Sequence, residues 1–259
     1  MTAGLLTLEL ALGFMIGVSL GLLGGGGSIL TVPALVYLIG QSPQTAVATS
    51  LAIVGVNSAV GALFHHRRHT CNWGVAVVFG TAGMITAFLA AGLSRLLSPA
   101  LIMVLFASLM LSIGTMMIFQ RQRVPLVSAD VCQPEKPKLW VIIFSGASVG
   151  LLTGILGVGG GFLIVPALMM LVRLPMVQAV GTSLAIIAAN SFAGFLGHMA
   201  TPLDVWLTVS FTAAGIAGTF AGAKIVHRLP ANMLRQLFAG FVILLAVFLF
   251  FDNVPKLLG

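Results

Sequence analysis

Charge is what this sequence has least of. Of its 259 residues 7% are charged, 12 basic and 5 acidic, while 59% are hydrophobic. A soluble domain carries about 25% charged residues because its surface faces water. A water-facing globule is therefore excluded, and an integral membrane protein is expected. The alternation of polar and apolar positions that marks a membrane β-barrel is also lacking. The apolar runs are continuous and read as helices. No polar stretch is long enough for a second domain. Cysteine is nearly absent, and Cys71 and Cys132 both fall in connecting segments, which suggests neither a disulfide framework nor a metal site. The start, MTAGLLTLELALG, has no basic leader and carries Glu9 inside its apolar run, unlike a cleaved signal peptide. The net charge of +7 reads, in a membrane protein, as Lys and Arg held on the cytoplasmic side.

What is present falls into a pattern that occurs twice. Apolar segments cover 5–23, 28–39, 44–64, 73–94 and 99–119, then 139–156, 161–172, 177–197, 205–226 and 232–251. GLLGGGGSILTVPAL (21–35) lies over GILGVGGGFLIVPAL (154–168), and AVATSLAIVGVNSAVGALFH (46–65) over AVGTSLAIIAANSFAGFLGH (179–198). Matched Gly, Pro, Thr-Ser, Asn and His positions are not explained by low-complexity apolar sequence, so the repeat reads as a duplication. The expected units are a first transmembrane repeat (1–119), a polar, proline-bearing cytoplasmic linker (120–138) and a second transmembrane repeat (139–259).

The basic residues bear on orientation. If the first two segments of each half form a hairpin, each half changes sides an odd number of times. With the 65–69 loop in the cytoplasm, Arg67, Arg68, Arg121, Arg123, Lys136, Lys138, Arg173, Lys224, Arg228 and Arg235 then lie inside, with Arg95 and Lys256 outside. If those segments formed one broken span, the halves would be parallel and the basic residues almost evenly divided. The positive-inside rule favours inversion, with both termini outside. The expected fold is an all-α polytopic membrane protein of two inverted-topology repeats, about five helical segments each, with Gly-rich breaks leading into half-helices.

The second segment of each half rises only about 18 Å against a hydrocarbon core of about 30 Å. It reads as a half-helix starting near the midplane after Gly24, Gly25, Gly26, Gly27 and Ser28, or after Gly157, Gly159, Gly160 and Gly161. Such an end presents free N–H groups and a positive dipole, a place for an anion. The plainer reading is that the glycines allow close helix packing. Thr49, Ser50, Thr182 and Ser183 open the third segments, and Asn57 and Asn190 follow nearly two turns later on the same face as the serines. Gly61 and Gly194 continue that stripe. These side chains are either neutral donors around an oxyanion or interhelical glue. His65 and His198 end those segments at matching positions, and each is read either as a gating or proton-carrying group or as an interfacial polar residue. His65 and His69 are spaced as a metal pair, but Arg67 and Arg68 between them repel cations, so no metal is expected. Glu9, the only acid inside an apolar segment, aligns with Ile142, and is expected near the outer interface rather than in a proton relay. Trp73, Trp140 and Trp206 lie near segment starts, as interfacial anchors do.

GLLGGGGSILTVPAL and GILGVGGGFLIVPAL, each followed by TSLAI and an NS pair, resemble the sulfite exporter TauE/SafE family over nearly the whole chain. The resemblance implies movement, usually export, of small sulfur-containing anions such as sulfite, sulfoacetate and related organosulfonates. Val158 stands where the first half has Gly25, so the half-sites are expected to be inequivalent. The expectation is a secondary transporter in the inner membrane working by alternating access, the alternative an uncoupled anion channel. An intramembrane enzyme is disfavoured, because no Ser-His pairing, carboxylate pair or zinc motif lies in the apolar segments. The expected partners are a small anionic substrate and the lipid bilayer, with a homo-oligomer allowed. Neither nucleic acid nor a cofactor is expected.

Overall fold

The computed structural model describes residues 3–90, 99–119, 138–156, 161–196, 203–226 and 230–258. Among them the secondary structure is helical: α1 (Ala3–Leu23), α2 (Gly26–Pro33) running into a π-helical turn (Ala34–Leu38), α3 (Pro43–Arg67), α4 (Trp73–Ala90), α5 (Pro99–Phe119), α6 (Leu139–Leu156), α7 (Gly161–Met170), α8 (Met176–Leu196), α9 (Val205–Val226) and α10 (Ala231–Leu258). The linker expected at 120–138 lies outside the described residues except for Lys138. Four helices, α3, α4, α8 and α9, are long and apolar enough to cross a membrane within the described residues.

Local chemistry sets the ends of these helices. Ser42 caps α3, its hydroxyl accepting from the Thr45 amide, and Pro43 fills the first turn, where an N–H would be unsatisfied anyway. Asn72 Oδ1 accepts from the Val75 amide at the start of α4, and Asp204 Oδ1 from the Leu207 amide at the start of α9. Trp73, Trp140 and Trp206 sit in the first turns of α4, α6 and α9 and are exposed. Phe88, Phe144, Phe192 and Phe251 also point outward, an apolar surface suited to hydrocarbon.

The helices pair across the two halves of the chain. The main partner of α1 is α9, that of α4 is α6, and α3 packs on both α8 and α9. Under the sequence repeat α1 corresponds to α6 and α4 to α9, so the first two interfaces are counterparts. Both are made of glycine. A Cβ added to Gly17 would overlap the Gly215 carbonyl, one on Gly21 the Thr219 carbonyl, and one on Gly218 the Phe14 carbonyl. In the counterpart, Gly146 lies against the Phe79 backbone and Gly150 against Gly83, and the Thr86 hydroxyl reaches the Ala147 carbonyl at 3.0 Å. Small residues at i and i+4 let helix backbones touch, which is how helices gain contact where burial from water drives nothing.

The same contacts give directions. Residue numbers rise together along α1 and α9 (Gly13 by Phe211, Gly17 by Gly215, Gly21 by Thr219) and along α3 and α9 (Asn57 by Gly215, Gly61 by Thr219). Along α3 and α8 they run oppositely: Gly55 meets Ser191, Gly61 meets Leu184, and Gly181 meets His65. Thus α1, α3 and α9 are parallel to one another, and α8 is antiparallel to them.

The 68–72 connection turns through His69, with φ +54°, and tucks onto α8, where the Asn72 amide donates to Thr182 Oγ1 at 3.1 Å. Burial in this connection pushes the Cys71 thiol up from 9.0 to about 11.

Two outcomes follow. Gly17→Val drives a side chain into the α9 backbone, and overpacking a tight interior costs about 1–3 kcal/mol; its melting temperature in detergent drops, whereas Gly240→Ala, where a Cβ meets nothing within 4 Å, melts like the wild type. Equal melting of the two would contradict the packing. Second, because the thiolate is the nucleophile, alkylation of Cys71 in a Cys132→Ser background keeps accelerating up to a pH of about 11. A rate that levels off near pH 9.0 would show an ordinary, exposed thiol.

Candidate functional site

The first glycine run forms a break between α1 and α2. Gly24 has φ +69°, a conformation that L side chains rarely adopt, and its amide still donates to Leu20 O at 2.8 Å. Gly25 stands at the N-cap of α2, and no side chain caps that helix. Gly27 then lies against Ile16 and Leu20, so α2 folds back along α1. The first amides of α2 therefore open the helix at its positive dipole end.

The break touches the other half of the chain. Ser183 Oγ lies 2.8 Å from the Gly24 carbonyl and 2.8 Å from Val180 O in its own helix. Its single proton serves those acceptors. A Cβ on Gly24 would meet Ser183 Oγ and Val180. The next residues of α8 hold the end of α3: Gly181 backs onto the His65 ring and the Thr70 carbonyl, and Thr182 takes the Asn72 amide. One turn of α8, residues 180–183, thus joins the glycine break, His65 and the α3–α4 connection.

His65 is fully buried within the protein. Its Nδ1 is 2.8 Å from Thr70 Oγ1, whose own proton goes to the His65 carbonyl at 3.0 Å. Thr70 Oγ1 thus bridges the His65 ring and the His65 carbonyl. His66 Nδ1 accepts from Trp73 Nε1 at 2.8 Å. Arg68 lies over the Phe64 ring, 4.8 Å from its centroid, so that cation is held at the end of α3.

Asn57 stands apart from the break. It is 1% exposed on α3, its amide against Gly215 of α9, and its Oδ1 has no hydrogen-bond partner. One turn on, Gly61 faces the Thr219 methyl; the Thr219 hydroxyl, also buried, has no partner either. An unmet buried polar atom costs about 1–3 kcal/mol, and two such atoms lie one turn apart along this α3–α9 seam. The buried Thr49 and Ser58 hydroxyls on α3 are likewise without partners, whereas Ser50 donates back to Val47 O at 2.8 Å. Asn190, the counterpart of Asn57, is half-buried, with an unpartnered Oδ1. Thr219 and Ser58 were not singled out by the sequence reading. The NS pair offered a signal for Ser58, but Thr219 is one of several threonines in apolar helix and only its packing distinguishes it.

The expectation that the break lies near the midplane is not met in the first half. The parallel register places Gly24 level with the last turns of α3, near His65, while Asn57 lies level with Gly17 in the middle of α1. The reason is length: the 21 residues of α1 form one unbroken helix, about 30 Å long, before any glycine interrupts it. Glu9 lies between helices, close to the start of α9. It is 2% exposed in the α1–α9 interface, where Ser210 Oγ approaches its carboxylate at 3.4 Å. Gly26 and Ser28 lie in α2, their immediate surroundings undescribed, and Gly161 begins α7 in a buried position. Gly157, Gly159, Gly160 and His198 lie outside the described residues. Among the described residues no three His, Cys, Asp or Glu side chains come together as a metal site.

Residues 9–249 match the family described as sulfite exporter TauE/SafE. A "Probable membrane transporter protein" of Xylella fastidiosa (strain Temecula1) is 33% identical over 265 residues, covering 100% of each chain. The "Probable membrane transporter protein YdhB" of Bacillus subtilis is 26% identical, covering 86% of this chain and 91% of its own. No solved structure matches. The match takes in both glycine runs and all or part of each described α-helix, and the chain belongs to the sulfite exporter TauE/SafE family of membrane transporters.

Proposed function

We propose that this membrane transporter is a secondary carrier for a small sulfur-containing anion, sulfite, sulfoacetate or a related organosulfonate, and that it exports this anion across the inner membrane by alternating access. The observation that carries the reading is the uncapped start of α2 after Gly24 and Gly25, set against Ser183 from the other half. Backbone amides at a helix start bind oxyanions without a fixed cation. Gly24, Gly25, Gly26, Gly27 and Ser28 would supply that cradle in the first half, and Gly157, Gly159, Gly160 and Gly161 in the second. Ser183 stands beside the first break with Thr182 next to it, and Thr49 and Ser50 are their counterparts on α3. Asn57 and Asn190 carry the path through the middle, an Asn amide turned over presenting its NH2 to a passing oxygen. His65, buried beside the break, and His198 gate access or carry protons.

Inversion of the two halves fits this reading. The antiparallel run of the counterpart helices α3 and α8 supports it, and the exchange of α1–α9 for α6–α4 between the halves is compatible with it. Such a repeat lets one gate close as the other opens. The negative-inside potential favours anion exit by roughly 2.3 kcal/mol per charge per 100 mV, and a site built from dipoles and neutral donors releases its guest readily. The uncoupled channel remains the competing reading; ohmic single-channel current would support it, whereas saturable flux with counterflow supports the carrier.

Asn57→Leu and Asn190→Leu should each cut sulfite flux into proteoliposomes at least about tenfold, the effect of losing roughly 1.4 kcal/mol of binding, while the protein still elutes as a folded species. Unchanged flux in both would remove the asparagines from the path. A thermal-shift panel of sulfite, thiosulfate, sulfoacetate, sulfate and taurine on the purified wild type is expected to show stabilisation by the anions. Stabilisation by zwitterionic taurine alone would contradict an anion site.

A further inference from the structure

Glu9 is a buried acid that neither the glycine break nor the asparagine seam uses. It occupies the first position of the α1 stripe Glu9, Gly13, Gly17, Gly21, whose glycines lie directly on α9. Glu9 is 2% exposed, and the Ser210 hydroxyl approaches its carboxylate at 3.4 Å. The other half shows what packing alone requires at this place. There the stripe is Ile142, Gly146, Gly150, with Ile142 buried; Val77, the α4 counterpart of Ser210, is exposed. An aliphatic side chain, Ile142, fills the counterpart of the Glu9 position, so an acid there is not demanded by the fold. An ionisable group in a spanning interface is costly and marks an ion or proton path by default.

The surroundings point to a proton. A hard metal cation takes six or more oxygen ligands, and here a carboxylate and one hydroxyl are seen. On the helices packed against α1, α2 and α8 have no ionisable residue; Tyr37, in the turn after α2, is exposed. The ionisable residues of α3, His65, His66 and Arg67, lie at its far end, and Lys224 lies about four turns beyond Ser210 on α9. Asp204, which caps α9, is the nearest acid along that helix and is exposed. The side chains of Arg235, Asp252 and Lys256 on α10, and the amino terminus, lie outside the described residues. Along α9, Ser210 comes between Asp204 at the helix start and Gly215, on which Asn57 rests.

We propose that Glu9 binds the proton that couples transport, taking it from water at the Asp204 end of α9 past the Ser210 hydroxyl and releasing it on the opposite side as the carrier turns over. One proton bound at Glu9 is one proton released, and no other bond changes. The proposal rests on the carrier reading above. The test compares wild type, Glu9→Gln and Glu9→Ile in proteoliposomes, the last placing in α1 the residue that α6 already carries. An imposed pH gradient should speed net sulfite flux several-fold in the wild type and leave both variants unaffected, while exchange of labelled sulfite persists in all three. A gradient response retained by either folded variant would overturn the proposal, as would a response that follows sodium instead of protons. Infrared titration of the reconstituted protein needs no substrate. It should show a protonated-carboxyl C=O band in the wild type that titrates with pH and is missing from Glu9→Gln. If no sulfur anion moves but this band is present, the substrate reading fails and the proton site stands. A wild type without the band refutes the proton site whatever the flux shows.

Discussion

In hydrocarbon a backbone amide or carbonyl left without a partner has no water to turn to. That constraint makes every span here a helix, and it makes glycine the residue that brings helices together. Once each helix has met its own hydrogen bonds, close approach of the outer surfaces is the remaining source of stability. The stripes Gly13–Gly17–Gly21 and Gly146–Gly150 put α1 on α9 and α6 on α4 with backbones touching. Each stripe belongs to one half of the chain and its partner helix to the other. The halves are therefore interlocked, and neither buries its interface alone.

The same constraint makes the glycine break informative. The chain leaves helical geometry at Gly24, inside the packed body, and the freed Gly24 carbonyl is met by Ser183 from the opposite half. The turn of α8 that supplies Ser183 also backs His65 and takes the Asn72 amide. A displacement of this turn would be felt at once at the break, at the buried histidine and at the connection to α4. Such a junction between halves is where a carrier that alternates its access needs mechanical contact.

Much of this was legible in the residues. The apolar segments correspond to the α-helices among the described residues, because continuous apolar runs bounded by Ser42-Pro43, Asn72 or Asp204 leave little choice of register. Family membership was legible too, through the doubled Gly-rich element and its proline. The depth of the break was not: twelve apolar residues suggest a half-helix, but their level is set by how far α1 runs before it, and by its register against α9. Nor was the burial of Glu9. One acid in an apolar run gives no sign of its partner until its stripe is seen lying against α9. Thr219 was illegible for the same reason, since a threonine facing lipid and one facing Gly61 look alike in sequence.

By itself the sequence determined the solvent, the secondary structure and the duplication, since each follows from composition and periodicity along one dimension. The tertiary structure decided which helices meet, and so which polar atoms lack partners: Ser183 is tied to the break, while Asn57 and Thr219 are left open along the α3–α9 seam. The physical reason is that a side chain's partner in a bundle lies on another helix. In this protein that helix is as often as not more than a hundred residues away, and only packing brings the two to the same depth.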